Sequence, residues 1–175
     1  MSISIHPPQR PQQWSPEERY RFLSAILESF AGTLDLQEVL RRIVNITMQQ
    51  FAADRALLIH PVTETATTAN VRYAATAPHV VAQMEPSTPI ALTMPLMRRA
   101  LQSARPILIQ DTDSDVNAEN MERFNVRSSL LQILRPTGDE PWAFAIHQCT
   151  VRRHWNDDEI SLFAEIGRYA TLALN

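Results

Sequence analysis

The chain has 175 residues, with 16 Arg plus Lys against 19 Asp plus Glu, a formal charge of −3, and 45 % hydrophobic against 20 % charged residues. That balance suits one soluble globular domain able to bury a real core, and it excludes a disordered chain. All 16 basic residues are Arg, the 3 Gly (Gly32, Gly138, Gly167) lie far apart, and Cys149 is the 1 Cys, which excludes lysine Schiff bases, glycine-rich phosphate loops, internal disulfides and CxxC sites.

Residues 1–14 carry Pro7, Pro8, Pro11 and several Gln, with no apolar stretch resembling a signal peptide, and read as a flexible leader. Residues 15–175 read as a single domain. Ser15-Pro16-Glu17-Glu18 forms a capping box ahead of Phe22, Leu23, Ile26, Leu27 and Phe30 at helical spacing, and Gly32 ends that run. A second box, Asp35-Leu36-Gln37-Glu38, opens a helix striped by Leu36, Val39, Leu40, Ile43, Ile46 and Phe51.

The period then changes. Arg55 to His60 reads as a largely buried strand and Val71 to Ala75 as its neighbour, joined through the polar stretch Thr63 to Asn70. Pro78 to Pro95 reads as irregular, Leu96 to Ser103 as a short helix near a Thr93 cap, and Pro106 to Ile109 as an edge strand or strand start. Asp111 to Asn120 reads as a solvated acidic loop, with one helical turn at Met121 to Phe124. Arg127 to Leu134 pairs with Trp142 to Cys149 across Pro136 to Pro141, and Asn156-Asp157-Asp158-Glu159 caps a last helix striped by Ile160, Phe163, Ile166, Gly167, Ala170 and Leu174. This order predicts an α+β fold: a central antiparallel sheet, N- and C-terminal helices on one face, and a loop and helix insertion over a pocket on the other.

Certain residues carry a resemblance. Phe124-Asn125-Val126-Arg127-Ser128-Ser129-Leu130, then Trp142 to Cys149 ending in His147-Gln148-Cys149, then Arg152-Arg153-His154-Trp155 before Glu159-Ile160, together resemble a GAF domain. Within that superfamily they are most similar to the bilin-binding domains of cyanobacteriochromes and phytochromes. The resemblance spans roughly Leu34 to Leu174, and the specific motifs lie within Arg105 to Ile160. It implies a GAF-like fold, a pocket for a linear tetrapyrrole, and a histidine near that pigment at the position of His147. One departure stands against it. Counted back from Val126-Arg127, the family's linking Cys-His pair falls on Val116 and Asn117, neither of which can add to a vinyl group. Covalent attachment there is chemically impossible.

Side chains alternate along Trp142 to Cys149. Trp142, Phe144 and Ile146 suit a core under helices, whereas Ala143, Ala145, His147 and Cys149 share a face on which small residues leave room. The candidate pocket is therefore Ala143, Ala145 and His147, joined by His60 and Arg127. The bland alternative is a core histidine bonded to a backbone carbonyl. No metal is expected, because His147, Cys149 and His154 lack a fourth ligand at suitable spacing. A sulfoxide-reductase chemistry known in the superfamily needs several cysteines, and cyclic-nucleotide GAF motifs need a Lys.

Phe22, Leu23, Ile26, Phe30, Phe163 and Ala170 on the terminal helices are candidates for a homodimer interface, against the plainer reading that they cover the sheet. Nucleic acid is not an expected partner at this charge, and no run of about 18 apolar residues suggests membrane insertion. A cytoplasmic location follows by default. Two non-enzymatic functions remain. One is a regulatory or scaffold domain that binds a protein partner or assembly component. The alternative is a sensor that holds a small planar ligand, a non-covalent bilin included, and signals through its terminal helices. Loss of the attachment residue tilts the sequence reading toward the scaffold.

Overall fold

The computed structural model describes residues 13–31 and 35–175. The leader therefore falls mostly outside the described residues, as does Gly32. Trp14, at the leader's end, packs on Phe22 and Phe51 with ring centroids 5.6 and 6.0 Å away.

The helix starts follow from local chemistry. Helix α1 (Pro16–Ala31) opens on a reciprocal box: Ser15 N–H donates to Glu18 Oε2 at 2.8 Å, and Glu18 N–H donates to Ser15 Oγ at 3.2 Å. In α2 (Leu36–Gln50), Asp35 accepts from Gln37 N–H at 2.9 Å. Glu38, expected to complete that box, instead accepts from Arg42 Nε at 2.9 Å along the helix face. Helix α5 (Asp157–Leu174) carries the full Asn156–Glu159 box. Glu159 also holds Arg153 at 2.6 Å in a pair that is almost wholly buried.

Six strands form one antiparallel sheet: β1 (Arg55–His60), β2 (Thr68–Thr76), β3 (Pro89–Ala91), β4 (Ile107–Gln110), β5 (Ser128–Leu134) and β6 (Trp142–Gln148). Their order is β3-β2-β1-β6-β5-β4, so β1 and β6 sit at the centre and the strand that follows Pro106 lies at an edge. Four stretches differ from the sequence expectation. The region taken as irregular contains β3, which pairs Ile90 with Ala69, and β2 begins at Thr68, inside the presumed connection. Helix α3 (Met94–Gln102) starts before Leu96. Thr93 precedes it without a side-chain cap, donating instead to the Asp115 carbonyl at 2.5 Å. Helix α4 (Ala118–Arg123) begins within the expected acidic loop, because Asn117 Oδ1 accepts from Asn120 N–H at 3.0 Å.

Helices α1, α2 and α5 cover one face of the sheet. Ala56, Leu58, Leu130, Phe144 and Ile146 pack there with Leu40, Ile43, Phe51, Leu162, Phe163 and Ile166 in one buried cluster. Phe22, Ile26, Phe163 and Ala170 are buried in this interior, and Leu23 and Phe30 pack against it, so these interface candidates serve the protomer's own core. Gly167 has a similar role. A Cβ there would run into the Gln132 side-chain amide, whose Nε2 donates to the Phe163 carbonyl at 2.5 Å. The close approach is between α5 and its own sheet.

Candidate functional site

The opposite face builds the site. The pairings Arg55↔His147, His147↔Ser129 and Ser129↔Ile109 place one cross-strand row over β1, β6, β5 and β4. Because side chains alternate with period two, the next row on this face is Leu57, Ala145 and Leu131, followed by Ile59, Ala143 and Ile133. A polar row thus ends an apolar trough whose middle is floored by alanines. Helices α3 and α4 roof the trough with Leu96, Met97 and Met121, and Met84, Phe124 and Val126 close its sides. The space between them is a partly open cavity of about 90 Å³, and no charged side chain lines it.

Arg55 lies behind the polar end, fully buried. Its Nη1 donates to the Phe124 carbonyl at 3.3 Å, Met84 Sδ at 3.2 Å and His147 Nδ1 at 3.1 Å, while Nη2 donates to the Ala82 carbonyl at 2.5 Å. Burial presses its pKa down, opposed by the charge of neighbouring Asp54. A guanidinium can only donate, so His147 Nδ1 must be the bare, accepting nitrogen. Burial first, and the Arg55 charge second, hold the His147 pKa well below 6.5. The imidazole is therefore neutral, and its proton sits on Nε2, which has no partner among the described residues. Beside it, Ser129 is 2 % exposed and its Oγ is also without a partner. Both residues line the cavity.

The other sequence candidates separate. Ala143, Ala145 and His147 line the cavity together. His60 shares its parity with Ala56 and Leu58 and so lies on the helix-covered face. There it stacks on Trp142 at 4.3 Å, with Nε2 at 3.4 Å from Asp139 Oδ1. Arg127 is half exposed outside the cavity and binds Asp111 at 3.2 Å, beside Arg152 at 2.6 Å. The hydrogen bond from Arg152 is the main cause of the lowered Asp111 pKa. Val116 packs against the cavity-side cluster, and Asn117 lines the cavity while capping α4. The position implied for the linking cysteine thus holds the isopropyl group of Val116, and the amide of Asn117 stands where the paired histidine would be.

Cys149 offers no substitute. It is 6 % exposed, belongs to a separate cluster with Ala77 and Val80, and burial pushes its thiol up to about 11. A protonated, enclosed thiol is not a nucleophile. No cysteine is positioned for covalent pigment attachment. Among the described residues, no group of three His, Cys, Asp or Glu could hold a metal ion, and no helix is long and apolar enough to cross a membrane.

Arg55 and Ser129 were not singled out from sequence. An Arg inside an otherwise apolar strand, directly after Asp54, was the available signal for the first. For Ser129, the signal was its parity with Leu131 on a strand whose other side chains are mostly apolar.

With this architecture in view, the comparisons are consistent. The GAF domain family profile matches residues 35–174, and the chain belongs to that family. A search of curated proteins returns no match. Several similar solved structures are bilin photoreceptor domains. The phycoerythrobilin-bound GAF domain of a cyanobacterial phytochrome superposes with TM-score 0.69 at 13 % identity, covering 89 % of this chain and 94 % of that one. A far-red cyanobacteriochrome photoreceptor gives 0.66 at 13 %, covering 90 % and 96 %. The blue-light absorbing PixJ GAF domain of Thermosynechococcus elongatus gives 0.65 at 17 %, covering 85 % and 88 %. At these identities the likeness shows the fold.

Proposed function

We propose that this GAF domain is a non-catalytic sensor module that holds a small ligand without a covalent bond, in the cavity above Ala143, Ala145 and His147. The observation that carries this reading is the cavity itself. It lies on a central strand, its floor is lowered by two alanines, and it has donors without protein partners at one end. A filled core would show neither feature. This moves the reading away from a pure partner-binding scaffold, for which the cavity would have no use.

Output follows from the alternation of β6. Each cavity-facing residue is flanked by Trp142, Phe144 or Ile146, on which the terminal helices rest, and Phe144 stacks on Phe163 at 4.8 Å. An occupant that fits one setting of β6 better than another shifts the packing of α5 by that difference in affinity. A partner protein or second copy would read the change on the helices' outer surface, where Tyr20, Leu27 and Leu172 are exposed.

A linear tetrapyrrole does not fit the cavity as it stands. Pockets that take drug-sized ligands have about 300–1,000 Å³, several times the 90 Å³ present. Mixing the protein with biliverdin is expected to leave its visible spectrum that of free pigment. For a small occupant, the direct test is methyl NMR of the full chain under xenon, a probe that enters dry apolar cavities. Met84, Met97 and Met121 line the space and should shift on a saturable curve, while Met48, under the helices, should move far less. Unshifted resonances at all three would overturn the reading.

A further inference from the structure

We infer that the polar end of the cavity is a carboxylate site, and that the domain's ligand is a short-chain aliphatic carboxylate lying head-first on Ser129 and His147. This rests on the small-ligand reading above and names its chemistry.

Three observations converge. Register puts the two head-group residues side by side on β5 and β6, so their side chains point from adjacent strands into one end of the cavity. Both present hydrogens and lack protein acceptors: Ser129 Oγ is buried without a partner, and the imidazole's Nδ1 is taken by Arg55, which leaves Nε2–H outward. Such donors are costly to leave unmet in an apolar enclosure and call for an acceptor-rich group.

Charge then selects among acceptors. Arg55 is an always-protonated cation with no carboxylate in contact; its nitrogens bind two carbonyls, a thioether and an imidazole, and Nε is unpartnered. Asp54, the nearest counter-charge, is already held by His79 at 2.7 Å, Gln148 at 3.0 Å and the Cys149 N–H at 2.6 Å. The field at the polar end is positive, and no acidic side chain lines the cavity to offset it. An anion is favoured, a neutral amide less so, and an ammonium is repelled.

Volume and lining fix the body. The space equals about three waters' share of liquid, each about 30 Å³, and is smaller than the roughly 150 Å³ that accepts benzene. Ala145, Leu131 and Met97 give it an apolar bed, and the other polar lining residues, Thr93, Asn117 and Asn120, come from the α3 and α4 segments of the roof. A two-carbon acid of the acetate kind, with fewer heavy atoms than benzene, matches both limits.

The test titrates the full chain with acetate, acetamide and ethylamine, following the Met97 methyl resonance, with xenon as a probe that needs no polar end. Acetate should bind at least about tenfold more tightly than the amide, the gain expected of a charge-assisted over a neutral hydrogen bond, and the amine more weakly still. Ser129→Ala, nearly isosteric, should weaken acetate by about tenfold and leave xenon unchanged. His147→Gln, which keeps an N–H donor, should retain part of the preference that His147→Leu loses. If xenon binds but the three probes do not differ, the carboxylate site is wrong and the small-ligand cavity survives. If neither xenon nor any probe binds, both fall.

Discussion

The two faces of the sheet are built from the same strands and are packed in different ways. On the helix side, Phe51, Phe144 and Phe163 meet ring to ring, and Leu40, Ile43, Leu58 and Ile166 fill what is left. On the other side, the matching positions of β6 are alanines, the roof is two short helices and loops, and a polar row interrupts the apolar surface. Stability is concentrated on the first face and recognition on the second. The lesson is that alternation lets one central strand serve both purposes, and places the two faces on one shared backbone through which a shift of the strand reaches both.

Mutations should expose that asymmetry. Phe144→Ala removes a fully buried ring from the helix side and should cost about 3–5 kcal/mol in denaturant unfolding. A loss below about 1 kcal/mol would mean the helix face is not the stabilising one. The polar row gives an intermediate effect, visible in pH. His147 is neutral when folded and ordinary when unfolded, so below pH 6.5 the unfolded chain takes up a proton that the folded one refuses. Stability attributable to His147 should therefore be constant above that pH and fall by up to about 1.4 kcal/mol per unit below it. The slope is isolated by comparing wild type with His147→Gln at pH 7.5 and 5.5; equal slopes would show that His147 carries its proton in the fold. The smallest change is expected at Ala145→Val, which grows into existing space. It should alter stability by less than about 1 kcal/mol while abolishing xenon uptake.

The fold was legible where local chemistry decides it. Ser15 and Asn156 cap as their spacing to Glu18 and Glu159 required, and the parity of Trp142, Phe144 and Ile146 against Ala143 and Ala145 told which side of β6 would be open. What escaped depends on pairing between distant segments. Strand β3 exists because Pro89 to Ala91 meets β2, which no property of those three residues announces. His60 and His147 both look inward in isolation. Only the register Arg55↔His147 shows that odd-numbered β1 residues share the face of His147, which sends His60 to Trp142 and brings Arg55 to the site. Glu38 went to Arg42 and not to its expected cap, since side chains one helical turn apart compete for the same carboxylate.

The central claim is that occupancy of the cavity is felt by the terminal helices. It is tested most directly by following the methyl groups of Leu162 and Ile166, on the buried face of α5 on the far side of the sheet, while xenon or acetate saturates the cavity. The account predicts that their resonances move along the same saturation curve as Met97. A Met97 response with Leu162 and Ile166 silent would contradict it, leaving a cavity without a signal.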